Sequence, residues 1–221
     1  MSNSEVSELD TRVIEIQASL SSALETLDLE DLVLVSSLSD YFFRFVQSDI
    51  GLAFAKTGRF LLSAKDYAEF CKSELSELKI KTLGLAQFDL ALRDYRKKAM
   101  SRIIFRDFTR RADLVETTSD LSDLADDCIE IALRYHYENN LAKYGIPLNL
   151  LGEQQEMSVI ALGKLGAREL NLSSDIDLMF FYGESGTVKN VEEKALGSGK
   201  SSSQEISNQE FFLKTARQIV K

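Results

Sequence analysis

The stretch that most constrains this chain runs from Ser158 to Tyr182 and reads SVIALGKLGARELNLSSDIDLMFFY. Two short apolar runs, Val159–Leu162 and Leu178–Tyr182, have the length and the Val, Ile, Phe and Tyr content of strands. Between them lies a glycine-containing connection that ends in Ser173-Ser174-Asp175-Ile176-Asp177. On a strand, residues two apart share a face. That places the carboxylates of Asp175 and Asp177 together and predicts that Ile176 and Leu178 turn toward a core. Like charges so placed repel, and a cation between them relieves the repulsion. Mg²⁺ suits the pair, since it takes carboxylate oxygens and keeps water or phosphate as its other ligands. Gly163-Lys164-Leu165-Gly166 predicts a tight turn opening a short helix, able to offer backbone N–H groups and one cation to a phosphate. Neither a Gly-x4-Gly-Lys-Ser/Thr loop nor a Gly-x-Gly-x-x-Gly fingerprint is present. Ser173 and Ser174 have two readings, as hydrogen-bond donors to phosphate oxygens or as caps of the local turn.

Ahead of this stretch the pattern is helical to about residue 140. Val6, Leu9, Val13, Ile16, Leu20, Leu24 and Leu27 step by three or four and form one apolar stripe. A second helix is predicted over Leu29–Phe45, where Tyr41, Phe42, Phe43 and Phe45 read as core. Shorter helices follow at Asp49–Lys56 and Ala64–Leu78. A long basic one covers Gln87–Ala112, where Lys98, Arg102, Arg106 and Arg110 lie four apart on nearly one face. Those cations are read as a solvated face neutralised by neighbouring acids, or as ligands of phosphates or of an acidic partner. Thr118 or Ser119 is the expected cap of the next helix, which carries the only histidine, His136, read as a packed residue. Gly145 and Pro147 should end that helix. The expected division is therefore a helical region over 1–147 and a second domain over 148–221.

After Tyr182 the chain turns polar, and residues 183–206 read as a flexible loop. Ser207 and Glu210 then form a capping box for a last helix bearing Phe211 and Phe212. With only two strands legible and the helix stopping mid-pattern at Lys221, the chain reads as cut short, its sheet incomplete. A net charge of -9 argues against a nucleic-acid partner. The longest apolar runs fall well short of a membrane span, and the polar N-terminus is unlike a signal peptide. Two isolated cysteines, Cys71 and Cys128, read as free thiols, so a cytoplasmic protein is expected.

A glycine turn followed by Asp-x-Asp resembles the polymerase-β-like nucleotidyltransferase superfamily. The longer wording GKLGARELN-x-SSDIDL is similar to the signature of the bifunctional glutamine synthetase adenylyltransferase/adenylyl-removing enzymes. Asn171, Ser173, Ser174 and Ile176 side with the first of that family's two nucleotidyltransferase copies. Ala167 departs from the family's usual glycine, which fits if its backbone is helical. The segment from about residue 85 onward also resembles the family's helical lead-in. The resemblance implies an α+β fold, a helical region followed by the start of a nucleotidyltransferase domain with an antiparallel or mixed sheet. It implies Asp175 and Asp177 as catalytic Mg²⁺ ligands, and Gly163, Lys164, Gly166, Ser173 and Ser174 around nucleotide and phosphate. The implied reaction removes AMP from adenylylated glutamine synthetase with phosphate, releasing ADP. The alternatives are adenylyl transfer from ATP, or a fragment that binds nucleotide or regulator without turnover. The implied partners are glutamine synthetase, ATP or ADP, phosphate and a PII signal protein.

Overall fold

A computed structural model of the chain describes residues 27–77, 83–189 and 206–220, together with Thr11 and Ile14. The apolar stripe expected over Val6–Leu24 lies outside the described residues, as do residues 190–205 of the expected loop. Contact density divides the chain into two compact units, one of residues 1–124 with 169–173, the other of 125–168 with 174–221.

The first unit is helical. Helices α1 (Leu29–Leu38), α2 (Asp40–Val46) and α3 (Asp49–Lys56) succeed one another, each opened by a side-chain cap. Asp28, Ser39 and Ser48 accept the N–H groups of Glu30, Phe42 and Gly51. The single helix expected over Leu29–Phe45 is thus two, because Ser39 leaves helical geometry to cap the second. A 3₁₀ turn (Arg59–Leu61), α4 (Ala64–Glu77) and α5 (Leu85–Phe108) follow. The unit closes on aromatic rings: Phe60 lies 5.3 Å from Phe42, 5.0 Å from Phe54 and 5.3 Å from Phe105, centroid to centroid. Of the expected aromatic patch, Phe42 and Phe45 are buried, whereas Tyr41 is 38 % exposed.

The expected basic face is solvated only in part: α5 ends at Phe108, short of the expected Ala112, so that Arg110 lies exposed beyond it, and Lys98 is half-buried. Arg102 is 1 % exposed. Its guanidinium donates to Asp120 and, at 2.8 and 3.1 Å, to the carbonyl of Leu62. Arg106 reaches Glu116 at 2.7 Å and the carbonyl of Arg111 at 2.9 Å. Two of the four aligned cations are therefore internal braces, each provided with a carboxylate as buried charge requires.

Helix α6 (Leu114–Tyr144) starts earlier than expected, because Asp113 accepts the Glu116 N–H at 2.8 Å. Thr118 and Ser119 lie inside it. It stops where expected, with Gly145 at φ 104 just past its end.

In the second unit β1 (Ile146–Asn149) leads to β2 (Met157–Ala161), the one-turn helix α7 (Gly163–Gly166), β3 (Leu178–Tyr182), β4 (Gly186–Lys189) and α8 (Asn208–Ile219). The pairs β1–β4 and β2–β3 are both antiparallel. Strands β1 and β4 correct the expectation that strands are confined to the two runs around the motif. Residues 186–189, expected as loop, gain order from pairing with 146–149 and from the bond of Val188 N–H to Ile206 O, 3.0 Å. The core of this unit gathers Met157, Val188, Phe211 and Phe212, with Leu133, Tyr137, Phe180 and Tyr182 packed around them. Tyr182 stacks on Phe212 at 4.7 Å. Ser207 caps α8 through the Glu210 N–H at 3.1 Å; the Glu210 carboxylate does not complete a capping box but pairs with Lys214 at 3.0 Å. The described protein is α+β, and no helix among the described residues is long and apolar enough to cross a membrane.

Candidate functional site

Strands β2 and β3 pair from Met157↔Tyr182 to Ala161↔Leu178. One further bond, Leu162 N–H to Asp177 O at 2.9 Å, carries the ladder past both named strand ends. The chain leaves β2 through Leu162 directly into α7, so the turn bearing Lys164 and the strand entry bearing Asp177 lie side by side. A Cβ added to Gly163 would stand 3.7 Å from the Asp177 Oδ2 atom. Gly163 has φ +56, a left-handed conformation that favours glycine. Gly166 answers to a different demand, since a Cβ there would meet the carbonyl oxygen of Ala161 at 2.6 Å. Its missing side chain serves the packing of α7 on the end of β2. Ala167 is right-handed helical, φ -84 and ψ -5, which is why alanine is accommodated there. The left-handed position falls on Arg168, φ 59.

Asp175 and Asp177 are both exposed, and both precede β3 rather than lying on it. Ile176 is 42 % exposed, so it does not turn toward the core as expected; Leu178, the first ladder residue of β3, is half-buried. The carboxylates of the pair face solvent, as ligands of a hydrated ion must. Two carboxylates match the donor set of Mg²⁺, a hard cation that retains water and phosphate oxygens. Among the described residues no third Asp, Glu, His or Cys joins them in a group.

Ser173 spends its hydrogen bonds locally: its N–H and its hydroxyl both reach Asn171 Oδ1 at 3.2 Å, an Asx-type turn. Ser174 is half-buried, and Lys164 is exposed. Arg168 pairs with Asp126 on α6 at 3.3 Å. Glu184 accepts from Asn149 Nδ2 at 3.1 Å, in the region of the β1 turn. His136 is 6 % exposed and packs edge-on to Tyr135, as a structural residue does. A cavity of about 230 Å³ lined by Glu130, Leu133, Arg134, Tyr137, Glu156 and Met157 contains none of the motif's residues. Sequence reasoning missed Asp126, for which its place inside a long helix offers no signal. It also missed the accepting role of Asn171, which Asn two residues before Ser does signal.

An α+β chain carrying a glycine turn against an Asp-x-Asp strand entry has the architecture of a nucleotidyltransferase. The family profile described as glutamate-ammonia ligase adenylyltransferase matches residues 29–221. The chain belongs to that family, a family of nucleotidyltransferases. Among its relatives is the bifunctional glutamine synthetase adenylyltransferase/adenylyl-removing enzyme of Pseudomonas aeruginosa, 43% identical over 131 residues, which cover 59% of this chain and 12% of the relative. The enzyme of the same description from Nitrosococcus oceani is 40% identical over 134 residues, 60% of this chain and 13% of the relative. That from Psychromonas ingrahamii is 35% identical over 160 residues, 72% of this chain and 16% of the relative. The matched segment thus spans between an eighth and a sixth of the relatives' length.

Proposed function

We propose that this chain carries the phosphate- and metal-handling elements of an adenylyl-removing unit. The unit releases AMP from a tyrosine of adenylylated glutamine synthetase by attack of inorganic phosphate. In that reaction a phosphate oxygen forms a bond to the AMP phosphorus. The bond from that phosphorus to the tyrosine oxygen breaks, the tyrosine oxygen takes up a proton, and ADP leaves. The observation that carries the reading is the bond from Leu162 N–H to Asp177 O, which seats the Lys164 turn beside the Asp177 carboxylate. Lys164 supplies positive charge to the phosphate groups. Asp175 and Asp177 would hold Mg²⁺, which when bound neutralises developing charge on the transferred phosphoryl group. Gly163 keeps the turn close to Asp177. The removing direction is favoured over adenylyl transfer from ATP by the wording at Asn171, Ser173, Ser174 and Ile176.

The test is calorimetric titration of Mg-ADP and Mg-pyrophosphate into the chain and into its Asp175→Asn/Asp177→Asn variant. The expected result is loss of Mg²⁺-dependent binding in the variant with unchanged helical circular dichroism, because both carboxylates face solvent and neither packs the core. Unchanged Mg²⁺-dependent binding in the variant would remove the assignment.

A further inference from the structure

The hairpin β2–β3 is apolar on both faces. One face, with Met157, Phe180 and Tyr182, belongs to the core of its unit. The register places Ile160 opposite Met179 and Ser158 opposite Phe181 on the other face. There Ile160 is 49 % exposed, Met179 43 % and Phe181 43 %, with Leu162 beyond them at 40 %. An antiparallel sheet with one solvent-facing side ordinarily alternates to polar residues on that side. Here Ser158 is the one polar side chain within the ladder on that face. Side chains two apart share a face, so Asp177 heads the row that continues through Met179 and Phe181. Along an extended chain Met179 lies about 7 Å and Phe181 about 13 Å from Asp177. At the same end Leu162 leads into Gly163 and Lys164. The strip is therefore charged at one end and flat and apolar along its length.

Resting on the proposed phosphate and metal site, we infer that this strip is the platform for the nucleoside of the bound nucleotide, the base lying on Met179 and Phe181 with Ile160 beside them. A nucleotide has the same polarity, a phosphate end that needs Lys164 and the carboxylates and a planar ring whose faces prefer apolar and aromatic contact. Stacking on an aromatic side chain is a general means of holding a base. A second copy of the chain would cover the apolar length but would leave the charged end without a counterpart, so the gradient along the strip favours the nucleotide.

The chain contains no tryptophan, so Phe181→Trp provides a single fluorescent reporter on the strip. Mg-ADP is expected to shift its emission saturably, while Mg-pyrophosphate, which has the phosphates without the nucleoside, leaves it unchanged. In calorimetry Phe181→Ala should weaken Mg-ADP roughly ten-fold or more and leave Mg-pyrophosphate binding as in the wild type. Equal affinity of Phe181→Ala and wild type for Mg-ADP, or silent emission from the Phe181→Trp variant under saturating Mg-ADP, overturns the platform while leaving the phosphate site standing. Equal losses for both ligands overturn it as well, since the face then does not discriminate the base. Absence of any Mg-pyrophosphate and Mg-ADP binding to the wild type overturns the phosphate site and the platform with it. A change confined to concentration-dependent sedimentation assigns the strip to a second copy and overturns the platform.

Discussion

Gly166 and Gly163 hold the candidate site in shape for two separable reasons, and each predicts its own penalty. Gly166→Ala forces a methyl group into the Ala161 carbonyl at 2.6 Å. It should cost about 1–3 kcal/mol in urea denaturation, the usual scale of overpacking. Gly163→Ala asks a Cβ to adopt φ +56, at a cost of about 1–2 kcal/mol. In the first unit, Asp120→Ala removes the carboxylate that faces the buried Arg102 and should destabilise by about 3–5 kcal/mol, the scale for stranding a buried charge. Burial holds the Asp120 carboxyl above its ordinary value, opposed by the hydrogen bond and charge of Arg102. With the folded value raised above the unfolded one, the folded state holds this proton more tightly. That contribution is full below the unfolded carboxylate value of about 3.9 and fades as pH rises through the folded value. The stability of the wild type relative to Asp120→Asn should therefore decline as pH is raised from below about 3.9, read as the difference in urea midpoints.

A buried side chain joins helices α6 and α8 by hydrogen bonds, beside their apolar contacts. Asn140, 2 % exposed, donates from Nδ2 to Thr215 Oγ1 at 2.9 Å and to Gln218 Oε1 at 2.8 Å. Thr215 Oγ1 already donates to the Phe211 carbonyl at 3.0 Å, so it faces Asn140 as an acceptor. Asn140→Asp sets acceptor against acceptor and should cost about 1–3 kcal/mol or more, whereas Asn139→Asp, on an exposed residue, should cost less; thermal unfolding of both variants makes the comparison. Element boundaries were legible where a cap or a glycine sits in the sequence, as at Ser207 and Gly145. They were not at the start of α6, where both expected caps, Thr118 and Ser119, lie inside the helix. Asp113, rather than Thr118, opens α6, and the choice brings Glu116 to Arg106 and Thr117 to Asp107, 3.0 Å. Local sequence cannot weigh such partners, because they come from α5.

At the scale of the whole molecule, each unit has a core of its own, one built on Phe42, Phe60 and Phe105, the other on Met157, Val188, Phe211 and Phe212. Phe212→Ala should cost about 3–5 kcal/mol and raise amide exchange in β2, β3 and α8, while α2 and α5 keep their protection; exchange mass spectrometry reads both. The sequence alone determined the features that rest on short-range physics. Apolar residues three and four apart made the helical half, β-rich runs made the hairpin, and the glycines between them made the turn that meets Asp177. The wording of that stretch also carried the family. Only the tertiary structure decided the rest. Strand β1 pairs with β4 across the whole motif, Ile146 opposite Lys189, and that pairing is stabilised by partners distant in sequence, with no periodic signal in four residues. Arg102 and Arg106 look in sequence like the exposed cations beside them, yet they are buried because Asp120 and Glu116 arrive from another helix to meet them. Ile176 looks like core and is exposed, because the ladder it would have joined begins after it. In each case the deciding energy is an interaction between residues that the chain brings together only once it has folded.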